Sequence, residues 1–336
     1  MGGDRAPAVV VEGALKALKE GPSDLEIVLV GRPEELKAEL ARLGAAEGAL
    51  RIHPASQAAG MQDAPSHVVR QMRDSSIRIC FDLHKQGEVQ AVVSAGNSGA
   101  TMAVGMVVMG RLPEVDRPAL ASALPGLKGP TVVIDVGANV DCSPLMLLQF
   151  GYMGAAYAEK VLGIKRPAVG LLSIGEEDVK GNHVVKLAHE YLKNSELNFV
   201  GNVEGRDLFS GRASVVVCDG FVGNVCLKVS EGLAEAMMTL LKDNVFASLR
   251  GKVGAFMLKP ALKSLAERLD YSSYGGAPLL GINGVGLICH GASSPRAIAS
   301  ALAAAAECVR GGLVSHLEEG LAQFRGRLLG ESAAAE

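Results

Sequence analysis

The chain has no tryptophan, and aromatic residues make up only 4% of its 336 residues. With hydrophobic residues at 49%, the core must therefore be built from Ala, Val, Leu, Ile and Met. Six cysteines (Cys80, Cys142, Cys218, Cys226, Cys289, Cys308) stand far apart with no CxxC pair. This spacing suggests neither a zinc site nor a disulfide framework, and it fits a reducing compartment. A net charge of −3 lacks the basic footprint of general nucleic-acid binding, so no nucleic-acid partner is expected. No basic stretch followed by an apolar core opens the chain, so no secretory signal is expected. Residues 89–110 carry no charge between Glu88 and Arg111, but Ser94, Gly96, Asn97, Ser98 and Gly99 interrupt the roughly 20 apolar residues that a spanning helix needs. No run reads G-x-G-x-x-G, and the carboxylates Asp135, Asp141, Glu176, Glu177 and Asp178 show no metal-ligand spacing. Neither a metal nor a cofactor is expected.

What the chain does have is a repeated phrase. Ala91-Val92-Val93-Ser94 is followed by Ala95-Gly96-Asn97-Ser98-Gly99 and then by an apolar, small-residue segment to Met109. This reads as strand, glycine turn and helix, with Ser98 as helix cap. The same order returns at Thr131–Val136 with Gly137-Ala138-Asn139, at Val169–Ile174 with Gly175-Glu176-Glu177-Asp178, and at Val215–Cys218 with Asp219-Gly220-Phe221-Val222-Gly223-Asn224. In an open parallel sheet such turns lie together at the carboxyl edge, where helix N-termini attract anions. A site is expected along that edge; for any one turn alone, a tight βα connection without ligand is the competing reading.

The remaining chain reads as α/β. Pro7 to Lys19, Pro33 to Leu43, Ser66 to Lys85, Val184 to Leu192, Val225 to Leu241 and Pro295 to His316 have helical patterns. Leu25 to Val30, Leu50 to Ile52, Ala119 to Leu124 and Val285 to Cys289 read as strands, and 275–281 as a turn-rich passage. The Met1-Gly2-Gly3-Asp4 turn is expected to follow a strand that precedes Met1. Within 242–268, Lys242, Arg250, Lys252, Lys259, Lys263 and Arg268 oppose only Asp243 and Glu267, and apolar residues there fall near helical spacing. The expected organisation is a single α/β domain over 1–330, with a basic amphipathic helical excursion at about 230–275 and a frayed tail at 331–336.

The ordered set of Met1-Gly2-Gly3-Asp4, Ala95 to Ala100, Val136 to Asn139, Gly175-Glu176-Glu177 with Lys180-Gly181, Gly201 to Gly205, Asp219 to Asn224, Gly276 to Gly281 and His290 to Ser293 resembles the bacterial phosphate acyltransferases. The resemblance covers nearly the whole chain. It departs where Ser98 replaces the usual Thr, where Gly126 follows Pro125, and where Met1 stands without the family's preceding strand. The resemblance implies a mainly parallel sheet flanked by helices, Rossmann-like and of the isopropylmalate dehydrogenase or phosphotransacetylase type. It implies transfer of a fatty acyl group from acyl carrier protein thioester to inorganic phosphate, giving acyl phosphate for phospholipid synthesis. It also implies a cytoplasmic homodimer at the inner face of the membrane, near a glycerol-3-phosphate acyltransferase.

Phosphate attacking a thioester needs an anion cradle and stabilisation of the tetrahedral oxyanion, with no covalent intermediate. Backbone N–H groups near Gly96, Asn97, Ser98 and Gly99 and near Gly137 and Asn139 are expected to hold phosphate, helped by side chains of Asn97, Ser98, Asn139 and Asn224. Lys180 is the candidate catalytic cation, oriented by Glu177, against an ordinary surface lysine. Asn224 and His290 are further catalytic candidates, and His290 equally reads as a hydrogen-bonded structural histidine. Asp219 and Lys228 are candidate substrate contacts, with turn-holding the alternative for Asp219. Phe256, Met257, Leu258 and Lys259 are candidate membrane contacts, against packing in a dimer or docking of the acidic carrier. Rival functions are a nicotinamide-dependent dehydrogenase of the isopropylmalate type and a non-catalytic phosphate or nucleotide sensor.

Overall fold

The structure, a computed structural model, describes residues 1–246, 253–261 and 275–322. The elements run α1 (Ala8–Glu20), β1 (Val28–Gly31), α2 (Pro33–Arg42), β2 (Arg51–Pro54), α3 (Pro65–Gln71), α4 (Ser76–Lys85), β3 (Val92–Ser94), α5 (Ser98–Met109), β4 (Ala119–Leu124), β5 (Thr131–Ile134) and α6 (Pro144–Lys160). They continue with β6 (Ala168–Leu172), α7 (His183–Lys193), β7 (Asn198–Val203), α8 (Asp207–Ser210), β8 (Val215–Val217) and α9 (Gly220–Phe246). A helical segment α10 (253–261) follows, then β9 (Ala277–Leu280), β10 (Gly286–Ile288), α11 (Pro295–Arg310) and α12 (Leu313–Ala322). Of the basic excursion, 247–252 and 262–274 lie outside the described residues, as does the tail 323–336.

Eight strands pair in the order β3-β10-β9-β4-β5-β8-β6-β7, and β1 pairs with β2 in a separate parallel pair. The expected mainly parallel sheet flanked by helices is found. Its centre differs: β9 is antiparallel to both β10 and β4, and β4 is antiparallel to β5. β3 and β10 therefore run opposite to the parallel set β5, β8, β6 and β7. The glycine turns after β3 and after β5 leave opposite edges of the sheet, so the expectation of one shared carboxyl edge is corrected.

The strands that were legible are those buried on both faces: β5 and β8 are apolar and wholly buried. α6 packs Phe150, Met153 and Tyr157 against one face, and α5 packs Val104 and Val108 against the other. β9 was read as a turn passage because Gly275, Gly276 and Pro278 crowd it. Pro278 is tolerated because the pairing with β4 begins only at Leu279. The helix expected over 66–85 is broken into α3 and α4. Ser75 Oγ donates to the Met72 carbonyl at 2.7 Å, and the Asp74 carboxylate accepts from the Ser56 N–H at 2.8 Å and from its hydroxyl. Those local bonds outcompete helix continuation. Gly311 and Gly312 likewise break the last helix, with a 53° bend between α11 and α12. Among the described residues no single helix is long and apolar enough to cross a membrane.

Candidate active site

A cavity of about 470 Å³ lies over the face of β4 that carries Leu120 and Ser122. From the β3 and β10 side it is lined by Ser98, Gly99 and Met102 and by His290, Ser293 and Ala297. From the β5 side come Gly137 and Val140, with Phe221, Asn224 and Lys228 of α9. The reversed centre of the sheet creates this arrangement. Turns that leave opposite edges of the sheet, after β3 and β10 on one and after β5 on the other, line one cavity across β9 and β4, so the site lies on a sheet face.

Three helices begin at this cavity: α5 with Ser98 and Gly99, α9 with Gly220 and Phe221, and α11 through Ala297. Each helix start carries about half a positive charge, so their convergence favours an anion. Each start is also capped by its own chain. Asn97 Oδ1 accepts from the Ala100 N–H at 2.9 Å, Asp219 Oδ1 from the Val222 N–H at 2.9 Å, and Ser294 Oγ from the Ala297 N–H at 3.2 Å. The N–H groups of Ser98 and Gly99 have no acceptor among the described residues, and they point out of the first turn of α5.

Several sequence expectations change here. Asn97, not Ser98, caps α5, and its amide Nδ2 donates to the carbonyls of Gly60, Met61 and Asp63 at 3.2, 3.1 and 2.9 Å. Its side chain is therefore committed to holding the loop before α3, and with Gly96 it borders a smaller, apolar cavity of about 100 Å³ beside β1. The N–H groups of Gly137, Ala138 and Asn139 are not free for phosphate either. They donate to the Asp135 carboxylate at 3.0, 2.9 and 2.7 Å, and the Leu120 N–H and Asn139 Nδ2 join them at 3.1 and 2.9 Å. Asn139 Nδ2 also donates to the Pro118 carbonyl at 2.8 Å, which leaves that side chain no donor for a ligand. The chain has filled this nest with its own anion. Asp135 is fully buried, and burial pushes its carboxyl above the usual range, opposed in part by the hydrogen bonds from the Ala138, Gly137 and Leu120 N–H groups and from Asn139 Nδ2. α9 closes over it: a Cβ at Gly223 would overlap the Asp135 carbonyl, so only glycine lets the helix start approach.

Lys180 and Glu177 lie on the exposed turn after β6, outside the cavity lining. The Lys180 N–H donates to the Glu177 carbonyl at 2.9 Å, and no ion pair joins their side chains among the described residues, so Glu177 does not orient the ammonium as expected. Lys228 does line the cavity and pairs with Glu231 at 2.7 Å. His290 is exposed at the rim, where its Nδ1 accepts from the Ala292 N–H at 3.1 Å and leaves Nε2 toward solvent or ligand. Asn224, exposed in the first turns of α9, has no side-chain partner among the described residues. Asp219 serves as a helix cap. Ser122, Met102, Val140 and Phe221 were missed, because a floor and rim carry no motif. Cys289 lines the cavity, and burial pushes its thiol up to about 12, which disfavours a thiolate nucleophile.

Residues 1–316 match the family described as Fatty acid synthesis protein. The chain belongs to that family. A phosphate acyltransferase of Geobacter sulfurreducens is 52% identical over 319 residues, which span 95% of this chain and 92% of the relative. A phosphate acyltransferase of Syntrophotalea carbinolica is 54% identical over 92% of this chain and 88% of its own. Among solved structures, a phosphotransacetylase of Streptococcus pyogenes superposes with a TM-score of 0.64 at 18% identity, over 90% of this chain and 92% of that one. The EutD phosphotransacetylase of Staphylococcus aureus gives 0.60 at 14% identity, over the same shares of the two chains. At those identities the likeness concerns fold alone. Membership of the fatty acid synthesis family does not favour the dehydrogenase reading.

Proposed function

We infer that this member of the family is a phosphate acyltransferase that moves a fatty acyl group from acyl carrier protein to inorganic phosphate. A phosphate oxygen attacks the thioester carbonyl, the C–S bond breaks, and the thiol leaves with a proton while acyl phosphate is released. The observation that carries the reading is the convergence of three helix starts on one cavity in a chain about half identical to named phosphate acyltransferases. The Ser98 and Gly99 N–H groups and Asn224 are the proposed phosphate contacts, and His290, in the same lining, is the proposed partner for the proton of the leaving thiol. Purified protein, acyl carrier thioester and phosphate should yield acyl phosphate, trapped as a hydroxamate. Thiol release that does not depend on phosphate, or none, rejects the reading.

Two lysines are the proposed cations: Lys228 in the cavity lining, and Lys180 on the exposed turn after β6, which the lining does not include. Lys228→Met is expected to raise the phosphate KM about tenfold, the effect of one lost hydrogen bond to a charged ligand. Lys180→Met is expected to lower kcat about tenfold while stability stays within about 0.5 kcal/mol, the ordinary range for a surface change. Steady-state kinetics and thermal melts on both variants decide; an equal fall in stability and turnover makes Lys180 a structural residue.

The reading extends to a cytoplasmic homodimer that touches the membrane holding a glycerol-3-phosphate acyltransferase. Supporting the dimer, Val225, Val229, Leu233 and Met237 form an exposed i,i+4 stripe on α9. Supporting the membrane contact, Phe256 and Met257 on α10 are 78% and 77% exposed beside Leu258 and Lys259. Sedimentation should give a dimer that Val229→Glu dissociates. Wild-type protein should float with anionic vesicles at low salt, and Phe256→Asp should abolish it; a wild-type monomer or unaltered flotation removes the corresponding claim.

A further inference from the structure

The cavity has two rims of different chemistry. On the β10 side stand His290 and Ser293, and on the β5 side stand Val140 and Phe221. β9 and β4 lie between the two sides, which separates them by roughly 14 Å at about 4.8 Å per strand. Val140 and Phe221 are 63% and 62% exposed, and both lie one residue beyond a tight backbone contact, the Gly220 N–H donating to the Asn139 carbonyl at 2.7 Å. That bond holds the two backbone segments side by side, and both side chains line the cavity. Below them Met102 and Leu227 continue the apolar lining toward Asn224. Neither rim side chain is buried among the described residues; Phe221 stands one turn before Val225 on the stripe proposed for the dimer, and its place in the cavity lining beside Val140 is what ties it to the site.

A thioester brings two arms to such a site: an aliphatic chain on the carbonyl side and a polar, amide-bearing arm on the sulfur side. Resting on the phosphate acyltransferase reading, we propose that Val140 and Phe221 form the seat of the aliphatic chain. The polar arm enters over His290 and Ser293. The carbonyl then lies between the rims, over Ser122 and beside Asn224, where the Ser98 and Gly99 N–H groups reach an anion. The pair acts in selecting chain length, since each methylene laid on the rim leaves water and each one beyond it does not.

The test compares butanoyl and hexadecanoyl thioesters of the same carrier protein, with phosphate saturating and acyl phosphate trapped as hydroxamate. Val140→Ser and Phe221→Ala should each cut the preference in kcat/KM for hexadecanoyl over butanoyl about tenfold, the factor given by one to two methylenes withdrawn from apolar contact. Butanoyl turnover should fall less than hexadecanoyl turnover, because the short chain lays fewer methylenes on the rim. A preference unchanged within twofold in both variants overturns the seat, and so does an equal loss for both thioesters. Absence of phosphate-dependent product from wild type with either thioester is a different failure, that of the acyltransferase reading itself.

Discussion

Asp135→Ala is expected to lower the stability of the protein by about 4 kcal/mol or more, a loss on the scale of removing one partner from a buried charged network. The carboxylate takes five N–H donors, four of them backbone, at a position with no exposed surface. Alanine leaves those donors without their acceptor, at about 1–3 kcal/mol for the buried Leu120 N–H and less for each part-buried group that water can reach. It also loosens the turn on which the start of α9 rests, so surviving protein should bind phosphate poorly. Asp135→Asn keeps one acceptor but turns an amide N–H toward groups that are already donors, and it should fall between wild type and alanine. Urea unfolding measures the difference; a loss below about 1 kcal/mol for alanine means that the nest is not what holds this end of the sheet.

The second large effect is expected on substrate. Asn224→Asp should raise the phosphate KM a hundredfold or more, and clearly more than Asn224→Ala. Alanine only deletes a hydrogen bond to a charged ligand, worth roughly 1.5–3 kcal/mol. Aspartate adds repulsion between like charges at about 4 Å, up to roughly 4 kcal/mol at a surface-like effective dielectric before salt screening. Asn224 is exposed and has no side-chain partner among the described residues, so neither change should disturb folding, which circular dichroism and a thermal melt can check. If the aspartate variant needs no more phosphate than the alanine variant, bound phosphate does not lie beside this residue.

What could be read from sequence was local. β4, β5, β6 and β8 are short apolar runs ended by glycine turns, and that grammar placed them within a residue or two. Strand direction depends on which partner pairs, and here the partners are distant: β3 pairs with β10 and β4 with β9. The reversal that builds the cavity was therefore invisible, and β9 itself was hidden by Pro278 and its glycines. The phosphate contacts were half legible for a related reason. Gly137-Ala138-Asn139 has the residues of an anion nest, and the same residues serve an incoming phosphate or a carboxylate two to four positions earlier equally well. Asp135 was the available signal, since an acid just before a glycine turn bonds its own backbone. Asn97 was misassigned similarly, because capping and ligand binding ask for the same amide.

The pairing order also sets the sequence of events during synthesis. β5, β8, β6 and β7 come from a stretch of the chain ending at Val217, and β4 can join β5 as a simple hairpin. β3 has no neighbour in the sheet other than β10, and it meets the rest only through β9 and β10, translated some 180 residues later. Until Ile288 has left the ribosome, β3 has no strand to pair with, and α5 can cover only the incomplete half of its face. Closing contacts so far apart in sequence is slow, so β3 keeps an open edge for the whole of that interval.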